Sequence, residues 1–171
     1  MAAPTGLKKV TATIKTPFLD IQGEWQPDES EQQAAWELYV ELVTRIAVQE
    51  LKPGEGLLRE ALTSLYQLFG ETRRILRSYG PVVATPKGSG KWSFGSIAVT
   101  LLNSAIRPVL AKWHPLLMTY ENQRGQAVSP ADHEMKWEHN EELRGILTEL
   151  QTTLRAYSQL LAEAAGIPPI A

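Results

Sequence analysis

Leu143, Leu147, Leu150, Leu154, Tyr157, Leu161 and Ala164 follow one another at intervals of four and three residues in strict alternation. Three heptads of this kind place every apolar side chain on one stripe of an α-helix, and such a stripe must be covered by another helix. The flanks supply punctuation. Ser129 is a good N-cap, Pro130 suits the first helical position, and Asp132 completes a capping box. Gly166 and Pro168 provide the stop. The pattern predicts one unbroken helix of about 36 residues, roughly 54 Å long at 1.5 Å per residue. Asn140 falls one step before Leu143 in the same register, where an asparagine can fix partner choice.

A rod of that length requires neighbours of similar length, and the sequence offers three. The first starts at Asp28 or Ser30 and runs to about Leu51, with apolar residues from Trp36 to Val48 around most of its circumference. Lys52-Pro-Gly-Glu-Gly56 ends it. The second spans Leu57 to Tyr79, with Leu58, Leu62, Leu65, Phe69 and Leu76 at helical spacing and Gly80-Pro81 as the stop. The third begins near Ser93. Pro108 interrupts its pattern, predicting a kink or break over Asn103–Arg107, with resumption through Leu110, Trp113, Leu117 and Tyr120. Pro115 then suits the first turn of a new segment. The expected fold is all-α, an up-down four-helix bundle, or five helices counted through a kink near Pro108.

Residues 1–28 differ. Val10-Thr-Ala-Thr-Ile14 alternates apolar and polar residues, and Phe18 to Trp25 reads as a second strand. Two strands do not fold alone, so this arm has to lie on the bundle, pair with itself across it, or extend a partner's sheet. The resulting division is an extended or β arm over 1–28, a bundle over 29–166 and a tail over 167–171.

Composition excludes several function classes. With no cysteine in 171 residues, thiol catalysis, disulfides and thiolate metal sites are ruled out. A formal net charge of -2 gives no overall basic excess of the kind nucleic-acid binders carry. No apolar core follows Lys8-Lys9 and no long uninterrupted apolar run appears, so neither a signal peptide nor a membrane span is expected, and the chain reads as cytoplasmic.

Candidate sites remain. Thr85-Pro-Lys-Gly-Ser-Gly-Lys-Trp92 approaches a phosphate loop, but Thr85 stands where the first glycine belongs and Trp92 where the magnesium-binding hydroxyl belongs. His133 and His139 lie six residues apart, about 240° around a helix, so no metal is expected between them. Glu41 and Arg45 form an i,i+4 ion pair. Arg73, Arg74, Arg77, Lys87 and Lys91 make a basic cluster suited to a phosphorylated ligand.

Arg107-Pro-Val-Leu-Ala-Lys-Trp-His114 carries the sharpest pattern, placing an arginine and a histidine on one face of a helical segment. It resembles the arginine-to-histidine motif of HEPN domains, which are all-helical bundles, many of them metal-independent ribonucleases that act as dimers. The resemblance implies His114 as general acid or base at a 2′-hydroxyl and Arg107 as the stabiliser of phosphorane charge. It covers eight residues, and Pro108 stands where those enzymes usually have a polar residue.

No cofactor and no complete catalytic constellation emerges otherwise. The leading expectation is therefore a non-catalytic interaction or adaptor protein. Its contacts would be the N-terminal arm and the Leu143–Leu161 stripe, with another protein or a second copy as partner. A HEPN-like ribonuclease, as toxin or defence effector, and a phosphorylated-ligand binder are the alternatives.

Overall fold

The computed structural model describes residues 8–170. It shows a helical bundle with a short antiparallel hairpin at its N-terminal end. Strands β1 (Val10–Lys15) and β2 (Asp20–Trp25) pair with Val10 opposite Trp25, Ala12 opposite Gly23 and Ile14 opposite Ile21. Those pairs form the face that is buried, while Thr11, Thr13 and Lys15 face outward. The period-2 alternation thus fixes which side of the hairpin meets the bundle. The arm closes on this chain's own helices: β1 packs on the last helix, and the hydroxyls of Thr16 and Thr153 lie 2.8 Å apart across that contact.

Helix α1 (Glu29–Val43) starts at a complete capping box: Asp28 accepts from the Glu31 backbone at 2.9 Å, and Glu31 accepts from the Asp28 backbone at 3.2 Å. It ends at Val43 rather than near Leu51. Past Thr44 the chain tightens into a 3₁₀ turn, Ile46–Val48, that buries Ala47 and Val48. The Arg45 guanidinium reaches away to the Ser64 carbonyl and to Gln67. Its i,i+4 partner is as expected, with Glu41 at 2.5 Å.

Helix α2 (Leu58–Tyr79) buries Leu58, Leu62, Leu65 and Phe69 and stops at Gly80, φ 72°. After a 3₁₀ turn (Gly80–Ala84), helix α3 (Phe94–Thr100) runs through a π-helical segment (Leu101–Ile106) into helix α4 (Arg107–Glu121). The disturbance expected over Asn103–Arg107 takes the form of this π-helical segment, and the chain stays helical through it. The Arg107 N–H bonds to the carbonyl of Leu102, five residues back, and the widened turn accepts the Pro108 ring without interrupting the rod. Pro115 likewise lies inside α4 and starts no new segment. The continuous rod Phe94–Glu121, 28 residues, contains an 18-residue stretch apolar enough to cross a bilayer by length and composition, which the sequence reading did not anticipate. More than half of that stretch, 56 %, is buried inside the bundle, as for a core helix.

The last helix is divided. Ser129 caps a short helix α5 (Pro130–Met135), its hydroxyl donating to the Asp132 carboxylate at 2.8 Å. The chain then turns, and α6 (Asn140–Ala165) begins. The unbroken helix from residue 130 is therefore corrected. At this turn Trp137 enters an aromatic cluster, edge-on to Trp113 at 6.1 Å and stacked on Tyr120 at 5.8 Å. Asn140 serves the turn and not a seam: its amide donates to the Glu134 carbonyl at 2.9 Å. Helix α1 packs against α6 and α2, and α2 packs against α4.

Candidate functional site

Two polar ladders with a seven-residue step meet where α2 crosses α4. On α2 they are Arg59, Tyr66 and Arg73; on α4 they are Arg107, His114 and Glu121. Seven residues are nearly two helical turns, so each set lies along one edge of its helix. The two edges meet antiparallel. Arg59 pairs with Glu121, with Nε 2.9 Å from Oε1 and Nη2 2.8 Å from Oε2. The Tyr66 and His114 rings lie 6.3 Å apart. Arg73 and Arg107 converge on Phe69, their guanidinium carbons 5.8 and 5.0 Å from its ring centroid.

Between these rungs runs a groove of about 650 Å³, lined by Tyr66, Phe69, Arg73, Arg107, Leu110, Ala111, His114 and Pro115. Its lining contains no carboxylate. Among the described residues, the arginines in ion pairs are Arg45, Arg59, Arg74 and Arg144. Arg73 and Arg107 thus share one phenyl ring with no acidic counter-charge, and Arg107 is oriented by donating to Asn103 Oδ1 at 3.1 Å. Cation–π attraction holds the two guanidiniums in place while leaving their edges to an incoming anion.

Arg59 also reaches His114: its Nη1 lies 3.1 Å from Nδ1 and 3.4 Å from Nε2. A guanidinium only donates, so this contact engages a lone pair of the imidazole.

The rest of the basic cluster disperses. Arg74 is bound by Glu71 at 2.9 Å and Glu37 at 3.2 Å. Lys87 is 2.9 Å from Glu31 and 3.2 Å from Asp28. Lys91 lies over the Trp92 ring, and Arg77 is exposed on the helix surface. Only Arg73 of the five lines the groove. The phosphate-loop-like segment is latched to the hairpin instead, the Lys91 and Trp92 backbone N–H groups both donating to the Glu24 carbonyl. The stripe Leu143, Leu147, Leu150, Leu154, Tyr157 and Leu161 faces the bundle's own interior, each residue 2 % exposed or less. His133 stacks on Tyr120 at 4.0 Å, and His139 sits edge-on to Trp113 and Trp137. Among the described residues no group of three or more His, Asp or Glu is placed to hold a metal ion.

Arg59 and Tyr66 were not singled out from the sequence, and Phe69 was read only as part of the apolar stripe of α2. The seven-residue steps 59, 66, 73 and 107, 114, 121 were the available signal, readable only once α2 and α4 are known to be antiparallel neighbours. Glu31 was also missed. This carboxylate, 0 % exposed, accepts from the Trp25 indole at 3.2 Å and from the Phe94 backbone at 2.7 Å. It joins hairpin, α1 and α3, and its role is architectural.

Compared with protein-family models, curated proteins and solved structures, the chain matches none.

Proposed function

We propose that this protein binds a phosphate-bearing ligand in the groove between α2 and α4. The observation that supports this reading above others is the convergence of Arg73 and Arg107 on Phe69 without an acidic partner. Both guanidiniums line one groove, and an anion bound there would meet positive charge from each. His114 adds an imidazole to the same lining. The test is calorimetric titration with inorganic phosphate and pyrophosphate against wild type, Arg73→Ala, Arg107→Ala and Arg74→Ala. Charge-assisted hydrogen bonds contribute about 1.5–3 kcal/mol, so each groove variant should weaken binding roughly tenfold or more. Arg74→Ala, already paired elsewhere, should bind as wild type does. Undetectable binding to wild type, or equal affinities throughout, refutes the proposal.

A second reading is favoured by one observation: Arg107 and His114 line the same groove, as metal-independent cleavage of RNA requires of them. On this reading the bound anion is the scissile phosphodiester, and His114 must exchange its Arg59 contact for the 2′-hydroxyl. Incubation of single-stranded RNA with chelator present decides it. Cleavage by wild type that His114→Ala abolishes supports a ribonuclease; no cleavage, or equal cleavage, removes it.

A further inference from the structure

We infer that the ligand of this groove is a nucleotide, its base stacked on Tyr66 and its phosphate seated between Arg73 and Arg107; the inference rests on the phosphate-binding reading. A bare phosphate accounts for the cations and for little else. The groove, about 650 Å³, is of the size that holds a small organic ligand, and most of its wall is aromatic or aliphatic: Tyr66, Phe69, Leu110, Ala111 and Pro115. Tyr66 is 64 % exposed, an unusual setting for a large ring on a helix whose other aromatic wall residue, Phe69, is 7 % exposed. Its face is open to a flat partner.

The spacing suits a base linked to a phosphate through a sugar. Phe69, where the guanidiniums converge, lies three residues along α2 from Tyr66, so the cations and the open ring occupy neighbouring turns of one groove wall. Tyr66 and His114 are 6.3 Å apart, inclined at 35°. Both rings border the groove, so a base stacked on the open side of Tyr66 lies beside the His114 imidazole. Stacking on aromatic rings does not depend on sequence, so the same seat serves a free nucleotide or one residue of a single strand.

The experiment titrates the full chain with AMP, ribose 5-phosphate, inorganic phosphate and a short oligoadenylate. Wild type, Tyr66→Phe and Tyr66→Ala are compared, with unfolding curves confirming that each variant is folded. AMP should bind wild type and Tyr66→Phe at least tenfold more tightly than ribose 5-phosphate does, and that ratio should fall to near one in Tyr66→Ala. Oligoadenylate binding far more tightly than AMP would identify a strand as the source of the nucleotide; similar affinities would identify the free nucleotide. Equal binding of AMP and ribose 5-phosphate to wild type, or a ratio unchanged in Tyr66→Ala, overturns the nucleotide inference and leaves phosphate binding standing. Failure of every phosphate compound to bind overturns both.

Discussion

Replacing Glu31 by alanine should be among the most damaging single changes outside the apolar core. The carboxylate accepts from the Trp25 indole at 3.2 Å, the Phe94 N–H at 2.7 Å and the Asp28 N–H at 3.2 Å, and lies 2.9 Å from the Lys87 ammonium. These four losses are not equal. Asp28 is only partly buried, so its N–H reaches water, and Lys87 keeps Asp28 as a second partner at 3.2 Å. Trp25 and Phe94 are both 0 % exposed, so their donors are left without a partner. An unsatisfied buried donor costs about 1–3 kcal/mol, which puts Glu31→Ala near 4 kcal/mol for the pair. For a chain of this size that is a fall in Tm of about 8–16 °C. Urea unfolding followed by circular dichroism measures it. Glu31→Gln, which keeps one carbonyl acceptor, should lose about half as much. The double variant Glu31→Ala, Trp25→Phe should lose less than the sum of the single changes, because the phenyl ring has no stranded donor. A loss below about 1 kcal/mol for Glu31→Ala, or strict additivity in the double variant, would refute the assignment of Glu31 as the hub joining hairpin, α1 and α3.

Two further outcomes test the architecture. Burial raises the pKa of Glu134 above its usual 4.5, against the opposing effect of the Leu58 and Arg59 backbone N–H groups. Its folded form therefore holds a proton more tightly than the unfolded form, so the group favours folding at low pH and this contribution is lost as pH rises from 4.5 through the raised value. Stability of wild type relative to Glu134→Gln, measured by urea midpoints from pH 4 to 8, should fall as pH rises; a flat or rising difference contradicts it. Gly95→Ala should destabilise by about 1–3 kcal/mol, as overpacking does. Its new Cβ would sit 3.0 Å from Ala84 Cα and 3.3 Å from the Val83 carbonyl, backbone atoms that do not yield as a flexible side chain would. Unchanged thermal unfolding would show that the turn ahead of α3 is looser than this contact implies.

Periodicity along the chain determined the helical segments themselves. Leu58, Leu62, Leu65 and Phe69 of α2 and the stripe from Leu143 to Ala164 are buried as their spacing requires, with Leu76 partly buried, and the alternation in Val10–Ile14 set the buried face of the hairpin. Gly80 and Gly166 end helices where left-handed geometry is needed, at φ 72° and 77°. These are properties of one segment folding on itself, so local sequence contains them. The turn before Asn140 is different. The local pattern over residues 129–143 reads as helix, and the contacts that Trp137 makes at the turn are with Trp113 and Tyr120, distant in sequence. Likewise Pro108 announced a disturbance, and the protein met it by widening one turn while the chain stayed helical through to His114. The groove belongs wholly to the tertiary structure. Each seven-residue ladder is unremarkable alone, and a site arises only because packing rotates the edge of α2 bearing Arg73 toward the edge of α4 bearing Arg107, an angle set by how all four rods share one core.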